Sequence, residues 1–254
     1  MSHVSRLARA AWFLSLATCL AAVVLETGCA PQQRREPDPS GQLVPAAGQL
    51  GAPAPKGGSS AEKAANDAMQ RGDIETAIEI YGRMLRSDPS NGRVAYYLGY
   101  AYGQVGEHEQ EIELYERAIA LGYRTDQLYY NLGEAYLETD RLDDAVSAFT
   151  LGLAENPDSA DNHFGLGRAY QYENRFFEAE RELLRAIQLQ PRDPVFRENL
   201  AMLYEQSGEL DKAVEQLEII LEIDPEYPGI REYLDHLAKR RKPLKGSPAG
   251  VGGD

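Results

Sequence analysis

The side chains that could do chemistry are few and far apart. Of 254 residues, two are cysteine and four are histidine. His3, His108, His163 and His236 share no metal-ligand spacing, and Cys19 and Cys29 both fall near the start of the chain. This distribution excludes a disulfide framework and a cysteine-based zinc site in the body of the protein. No HExxH stretch occurs, and Gly165-Leu166-Gly167 lacks the Gly-Lys-Ser/Thr continuation that a phosphate loop requires. His163 falls in a packing slot. His108 stands beside no repeated acid or nucleophile, within a run from Glu107 to Glu113 that reads as a solvated helix face. Asp143 and Asp144 fall on exposed helix surface rather than in a cleft, so they make no acid–base pair. The expectation is a non-catalytic chain with no metal, no cofactor and no small-molecule substrate.

Charge narrows the partners. Lys and Arg total 26 against 40 Asp and Glu, a net charge of −14, which argues against binding to a phosphate backbone. Between residues 58 and 238 the balance is steeper, 16 basic against 36 acidic side chains. The basic run Lys239-Arg240-Arg241-Lys242 reads as the cation cluster favoured at a helix C-terminus.

The start of the chain looks like an export signal. Arg6 and Arg9 precede Ala10–Leu25, a run of sixteen uncharged and mostly apolar residues. That is short for a bilayer-spanning helix, which takes about 20 residues, but suits the apolar core of a signal peptide. Thr27-Gly28-Cys29 resembles the end of a bacterial lipobox, with Glu26 standing where that pattern prefers Leu. The resemblance implies a signal peptide over 1–28 and acylation of Cys29, palmitate included, with more than one chain as stable anchoring needs. By the sorting rule of enteric bacteria, Ala30 rather than Asp after that Cys implies the outer membrane. Residues 29–57 then form a linker: six Pro and four Gly fall within 30–57, with no hydrophobic period. Such a coil spans about 30 Å, more where its prolines stiffen it.

The body repeats every 34 residues. Leu98-Gly99, Leu132-Gly133 and Leu166-Gly167 keep this spacing, with Ala64-Ala65 before them and Leu200-Ala201 after. Three residues past each pair stand Ala68, Tyr102, Tyr136, Tyr170 and Tyr204; twelve past, Ala77, Glu111, Ala145, Ala179 and Ala213. Sixteen past come Tyr81, Tyr115, Phe149, Leu183 and Leu217, and twenty-four past, Pro89, Tyr123, Pro157, Pro191 and Pro225. Gly72, Gly106, Asp140, Asn174 and Gly208 recur in the same register, where a turn can take positive φ. The small residue lets one helix approach the next, and Pro stops the second helix. The pattern resembles the tetratricopeptide repeat, with L-G-x₂-Y, A-x₃-F and a closing Pro.

The resemblance implies an all-α, right-handed α-solenoid of helix hairpins over 58–227, in units 58–91, 92–125, 126–159, 160–193 and 194–227. A solenoid end needs a polar cap. Residues 228–242 keep Leu234 but open no second helix, and are read as that capping helix; 243–254 reads as a disordered tail. The first unit is weak, with Ala at its key sites. In the second, Glu111 replaces the packing Ala and Tyr123 the Pro, which predicts a loosened or reshaped junction with the third.

In this family the first helix of each unit lines a concave, partner-binding face. The positions that do so carry Arg93, Tyr96 and Tyr100, then Tyr130 and Asn131, then Phe164, Arg168 and Tyr172, then Asn199 and Met202. Their three- and four-residue spacing makes a stripe on each helix, and exposed aromatics rimmed by polar groups mark interaction sites. A clamp for a C-terminal carboxylate is not expected: Asn66 fits it, but Glu62, Tyr97 and Gln127 stand where the family's clamp has Lys, Asn and Lys. The expected groove is aromatic and weakly basic, suited to an apolar or amphipathic segment.

A lipid-anchored array behind a tether is similar to the type IV pilus pilotin-like lipoproteins of the PilF, PilW and Tgl kind. That resemblance implies promotion of outer-membrane targeting and assembly of the pilus secretin, with secretin subunits as partner. The other readings are a different periplasmic adaptor, for cell-wall enzymes or outer-membrane protein assembly, and a scaffold.

Overall fold

The computed structural model describes residues 59–241. The signal segment 1–28, Cys29 with its linker to 57, and the tail 243–254 lie outside the described residues. Among the described residues there are eleven helices and no strand: α1 Ser60–Gln70, α2 Ile74–Ser87, α3 Gly92–Gln104, α4 His108–Ala120, α5 Asp126–Glu138, α6 Leu142–Glu155, α7 Ala160–Tyr172, α8 Phe176–Leu189, α9 Pro194–Ser207, α10 Leu210–Ile223 and α11 Ile230–Arg240. Ten of them pair as hairpins, odd (A) with even (B), and each hairpin packs on the next in chain order. The result is an all-α solenoid with α11 closing its C-terminal end.

Local chemistry sets the boundaries. The A helices begin at side-chain caps: Ser59, Asn91, Thr125, Ser159 and Asp193 each accept from a backbone N–H in the first turn. Each hairpin turns through a residue with positive φ, from Gly72 (75°) and Gly106 (78°) to Asp140 (58°), Asn174 (59°) and Gly208 (83°). The residue that follows donates its N–H to the carbonyl of Ala68, Tyr102, Tyr136, Tyr170 or Tyr204, closing a Schellman turn on the last residue of the L-G-x₂-Y motif. The B helices α2, α6, α8 and α10 stop just before Pro89, Pro157, Pro191 and Pro225.

Packing uses the small residues. A Cβ on Gly99 would lie 2.9 Å from Tyr115, and one on Gly167 would lie 2.8 Å from Leu183. Phe149 is fully buried and serves two glycines: a Cβ on Gly133 would lie 2.5 Å from its ring, and one on Gly165, in the next A helix, closer still. Packing this close leaves no room for a methyl group.

The junction after α4 departs from the others. It is the thinnest of the four between successive hairpins. With Tyr123 in place of Pro, α4 is ended by Gly122 (φ 84°), and Tyr123 N–H bonds the Ala118 carbonyl at 2.9 Å. The Tyr123 ring then packs at a tilt against Tyr96, with centroids 5.4 Å apart. Glu111 does not lie on a solvated face as expected. It is 8% exposed and fits the hollow left by Gly103, whose missing Cβ would fall within its carboxylate. His108 Nδ1 lies 3.0 Å from Glu111 Oε2, so this histidine does have an acid partner. Burial pushes the Glu111 carboxyl above its ordinary range, against the pull of His108.

The cap is held by Ile230 and Leu237 in the core and by ion pairs at its end, Arg240 to Glu205 and Arg241 to Asp211. Tyr233 adds a hydrogen bond to Glu205. The basic run thus ties the last helix back to α9 and α10.

Candidate protein-binding face

Successive A helices touch one another, whereas successive B helices scarcely do. The A side is therefore the inner side of the stack. The ten residues expected to line it divide sharply.

Seven are covered by the neighbouring helices. Tyr96, Tyr130, Asn131, Phe164, Arg168, Asn199 and Met202 are all buried. Tyr96 packs on Tyr115 and Tyr123 and accepts a hydrogen bond from Asn131 Nδ2 at 3.2 Å. Asn131 also accepts from Gln127 Nε2 at 3.0 Å, and Asn199 Nδ2 donates to the Val195 carbonyl of its own helix at 2.9 Å. Tyr130 packs its ring at a tilt against Phe149, and Phe164 does so against Phe196 at 4.9 Å. These side chains fill the seams between A helices and set the shape of the face; they do not present a contact surface. The physical reason is the close A-to-A approach, which encloses this stripe before a partner can reach it.

Three remain accessible. Arg93 is partly exposed, Tyr100 is half-buried, and Tyr172 keeps 42% of its surface. Arg93 Nη2 pairs with the buried carboxylate of Glu62 at 2.9 Å, across the α1–α3 seam. Arg168 makes a similar bond two seams later, from another repeat position: its Nη1 donates to both carboxylate oxygens of Glu134, at 2.7 and 2.6 Å. Burial pulls the Arg168 pKa down, but Glu134 more than compensates, so the guanidinium stays charged.

The face is therefore not weakly basic. Its arginines are neutralised by Glu62 and Glu134, pairings that the sequence reading did not find. The signal was available, because Glu134 and Arg168 occupy the same register position one unit apart. Acid remains in excess: burial raises the Asp161 carboxyl, and Asp193, Asp126 and Glu134 raise it further. Burial foremost, then Tyr123, pushes the Tyr97 hydroxyl up to about 12. The positions of a carboxylate clamp are likewise occupied, Glu62 by Arg93, Gln127 by Asn131, and Asn66 by the Tyr81 hydroxyl.

His163 serves the framework. His163 Nδ1 lies 2.8 Å from Glu182 and Nε2 3.1 Å from the Pro157 carbonyl. Arg197 and Arg231 reach Pro191 and Pro225 in the same way, so this slot ties each A helix to the loop before it. Asp144 is exposed and paired with Arg141. Among the described residues no group of three or more His, Cys, Asp or Glu is placed to hold a metal ion, and no helix is long and apolar enough to cross a membrane.

Comparison with known proteins agrees with this geometry. The tetratricopeptide repeat family profile matches residues 62–122, 112–160 and 164–228. No curated protein matches the chain. Among solved structures, a crystal structure of MamA superposes with a TM-score of 0.59 at 26% identity, over 64% of this chain and 95% of that one. The thermophilic tetratricopeptide repeat protein TTC0263 of Thermus thermophilus gives 0.58 at 24% identity, over 70% and 96%. YrrB, described as a tetratricopeptide repeat protein with an unusual peptide-binding site, gives 0.58 at 21%, over 70% and 89%. The sequence period, the hairpin stack and the profile converge: the chain belongs to the tetratricopeptide repeat family, whose folds are protein-interaction scaffolds.

Proposed function

We propose that the protein is a non-catalytic, lipid-anchored adaptor of the bacterial envelope that grips a protein segment on its inner face. Its anchor is acylated Cys29, in the outer membrane and facing the periplasm. Its role is pilotin-like: promoting the targeting and assembly of the type IV pilus secretin, with secretin subunits as the partner. The observation that carries the binding reading is the accessible aromatic surface of exposed Tyr172 and half-buried Tyr100, on a face whose arginines are already paired and whose free charge is acidic. Aromatic surface beside fixed carboxylates suits an apolar segment with basic flanks. YrrB, of like fold, has a peptide-binding site. The anchor and the tether come from the sequence resemblance around Thr27-Gly28-Cys29 and the linker to residue 57.

The test is a heat-resistant secretin multimer assay on membranes of a deletion strain, complemented with wild type, Cys29→Ala or Tyr100→Ala/Tyr172→Ala. Multimers should vanish on deletion, return with wild type, and fall with either variant. Unchanged multimers in the deletion strain would overturn the pilotin-like reading and leave a periplasmic adaptor with another partner.

A further inference from the structure

On the B-helix side, a cleft of about 820 Å³ opens between α2 and α4. Ile78, Leu98, Tyr102 and Leu114 give it an apolar floor, and Arg83, Arg86 and Arg117 stand at its rim. Three features of this cleft bear on what it can hold.

The first is Gly82, on the cleft wall. The other glycines of the A and B helices sit against something that a Cβ would strike at 2.9 Å or less. A Cβ on Gly82 would meet only the flexible tip of Arg86, at 3.4 Å. A glycine inside a helix weakens it, and here packing does not require one. The equivalent positions in later units hold Glu116, Thr150, Leu184 and Glu218.

The second is a missing carboxylate. Tyr136 donates its hydroxyl to Glu116 Oε1, on the B helix before it, at 2.8 Å. One unit earlier the corresponding pair is Tyr102 and Gly82. Among the described residues, the Tyr102 hydroxyl consequently has no hydrogen-bond partner, and it lines the cleft.

The third is unpaired positive charge. Arg93, Arg168, Arg175 and Arg185 each have a carboxylate partner, whereas among the described residues Arg71, Arg124, Arg192, Arg197 and Arg231, spread over the array, have none; the cleft gathers three such arginines at one rim. Among the described residues, Arg83, Arg86 and Arg117 have none within salt-bridge distance; Arg117 bonds only the Pro89 carbonyl. Glu79 and Glu113 also line the cleft, yet it keeps one net positive charge in a solenoid rich in acid.

We propose that this cleft is a second docking site, for an acidic amphipathic peptide segment of a partner protein. An apolar side chain enters over Ile78 and Leu114. A carboxylate of the partner takes the place that Glu116 fills one unit on, accepting from the Tyr102 hydroxyl and facing Arg83, Arg86 and Arg117. Charge complementarity selects this occupant, since elsewhere the array repels acidic peptides. The site is lined mainly by α2 and α4, with Leu98 and Tyr102 of α3, and does not depend on what binds on the inner face.

The test uses the full chain with Cys29→Ser, so that no acyl chain competes. The probe is a fluorescein-labelled peptide of leucine and glutamate at helical spacing, followed by anisotropy, with a leucine–lysine peptide as its counterpart. The acidic probe should bind saturably and weaken as salt rises. Gly82→Glu, which restores the carboxylate of the next unit, should weaken it at least tenfold while the melting temperature holds or rises. Arg83→Ala/Arg86→Ala should weaken it similarly. Absence of saturable binding overturns the proposal, as does affinity that Gly82→Glu leaves unchanged, or an equal Gly82-dependent affinity for the lysine peptide.

Discussion

Arg168 reaches back one whole repeat to grip Glu134, with a single Nη1 bonded to both oxygens of the carboxylate. The guanidinium is 2% exposed and also lies 5.5 Å from the Phe164 ring. Removing one partner of such a pair strands the other. Arg168→Ala should destabilise the array by about 3–5 kcal/mol, towards the lower end because Glu134 keeps some contact with water. Replacing both, as Arg168→Met with Glu134→Leu, should bring the loss close to zero. Urea unfolding followed by circular dichroism separates these outcomes, and equal losses in the single and double variants would show that the pair is not coupled.

Glu111 and Gly103 form a complementary pair across α3 and α4. Gly103→Ala alone places a methyl group on the carboxylate and should destabilise by about 1–3 kcal/mol. In a Glu111→Ala background, the same change should be neutral or stabilising. The pH dependence follows from the raised carboxyl of Glu111. Its folded pKa lies above the unfolded one, so its ionisation opposes folding. Stability should fall as pH rises from the ordinary carboxylate range through the raised value, and Glu111→Gln should remove that fall.

Glu182 behaves in the opposite sense. Burial pushes its pKa up, but His163 and Arg181 together hold it below the ordinary value. A depressed folded pKa gives stability that is present above the unfolded pKa and lost as pH falls through the folded one. His163→Ala should therefore flatten the acid side of the stability profile below about pH 4.5. An unchanged acid limb would assign the depression to Arg181 alone.

Asp140 and Asn174 hold left-handed turns that glycine holds elsewhere in the array. Asp140→Gly and Asn174→Gly should each stabilise by a few tenths of a kcal/mol to about 1 kcal/mol, since a side chain is strained at positive φ. Thermal melts of the two variants check this, and a drop in either would mean that its side chain makes up for the strain.

The framework was open to reading from the sequence because a period of 34 superposes each structural device on its copies. The left-handed turn series, the Pro stops and the glycine against Tyr115, Phe149 or Leu183 all recur in register. The inner face was harder to read. The spacing of Tyr96 and Tyr100 places them on one stripe of α3, but whether that stripe meets solvent depends on how close α5 comes. Asn131, one repeat later, closes over Tyr96 and leaves Tyr100 partly open. Compensation escaped for a related reason. Glu111 looked like a defect when set beside the alanines of its own column; the glycine that makes room for it belongs to another column.

Phe149 lies between Gly133 of its own repeat and Gly165 of the next, with no space for a methyl group on either side. A tandem array invites the picture of interchangeable bricks, copied or deleted in multiples of 34 residues by recombination. Excising residues 160–193 would keep every helix in register and yet bring Asn199 to the place of Gly165, against a ring that admits no side chain. The third and fourth repeats should consequently be inherited as one block. Insertions and losses in the lineage of this protein should spare that seam, and a chimera that cuts there needs a smaller residue at 149 to fold.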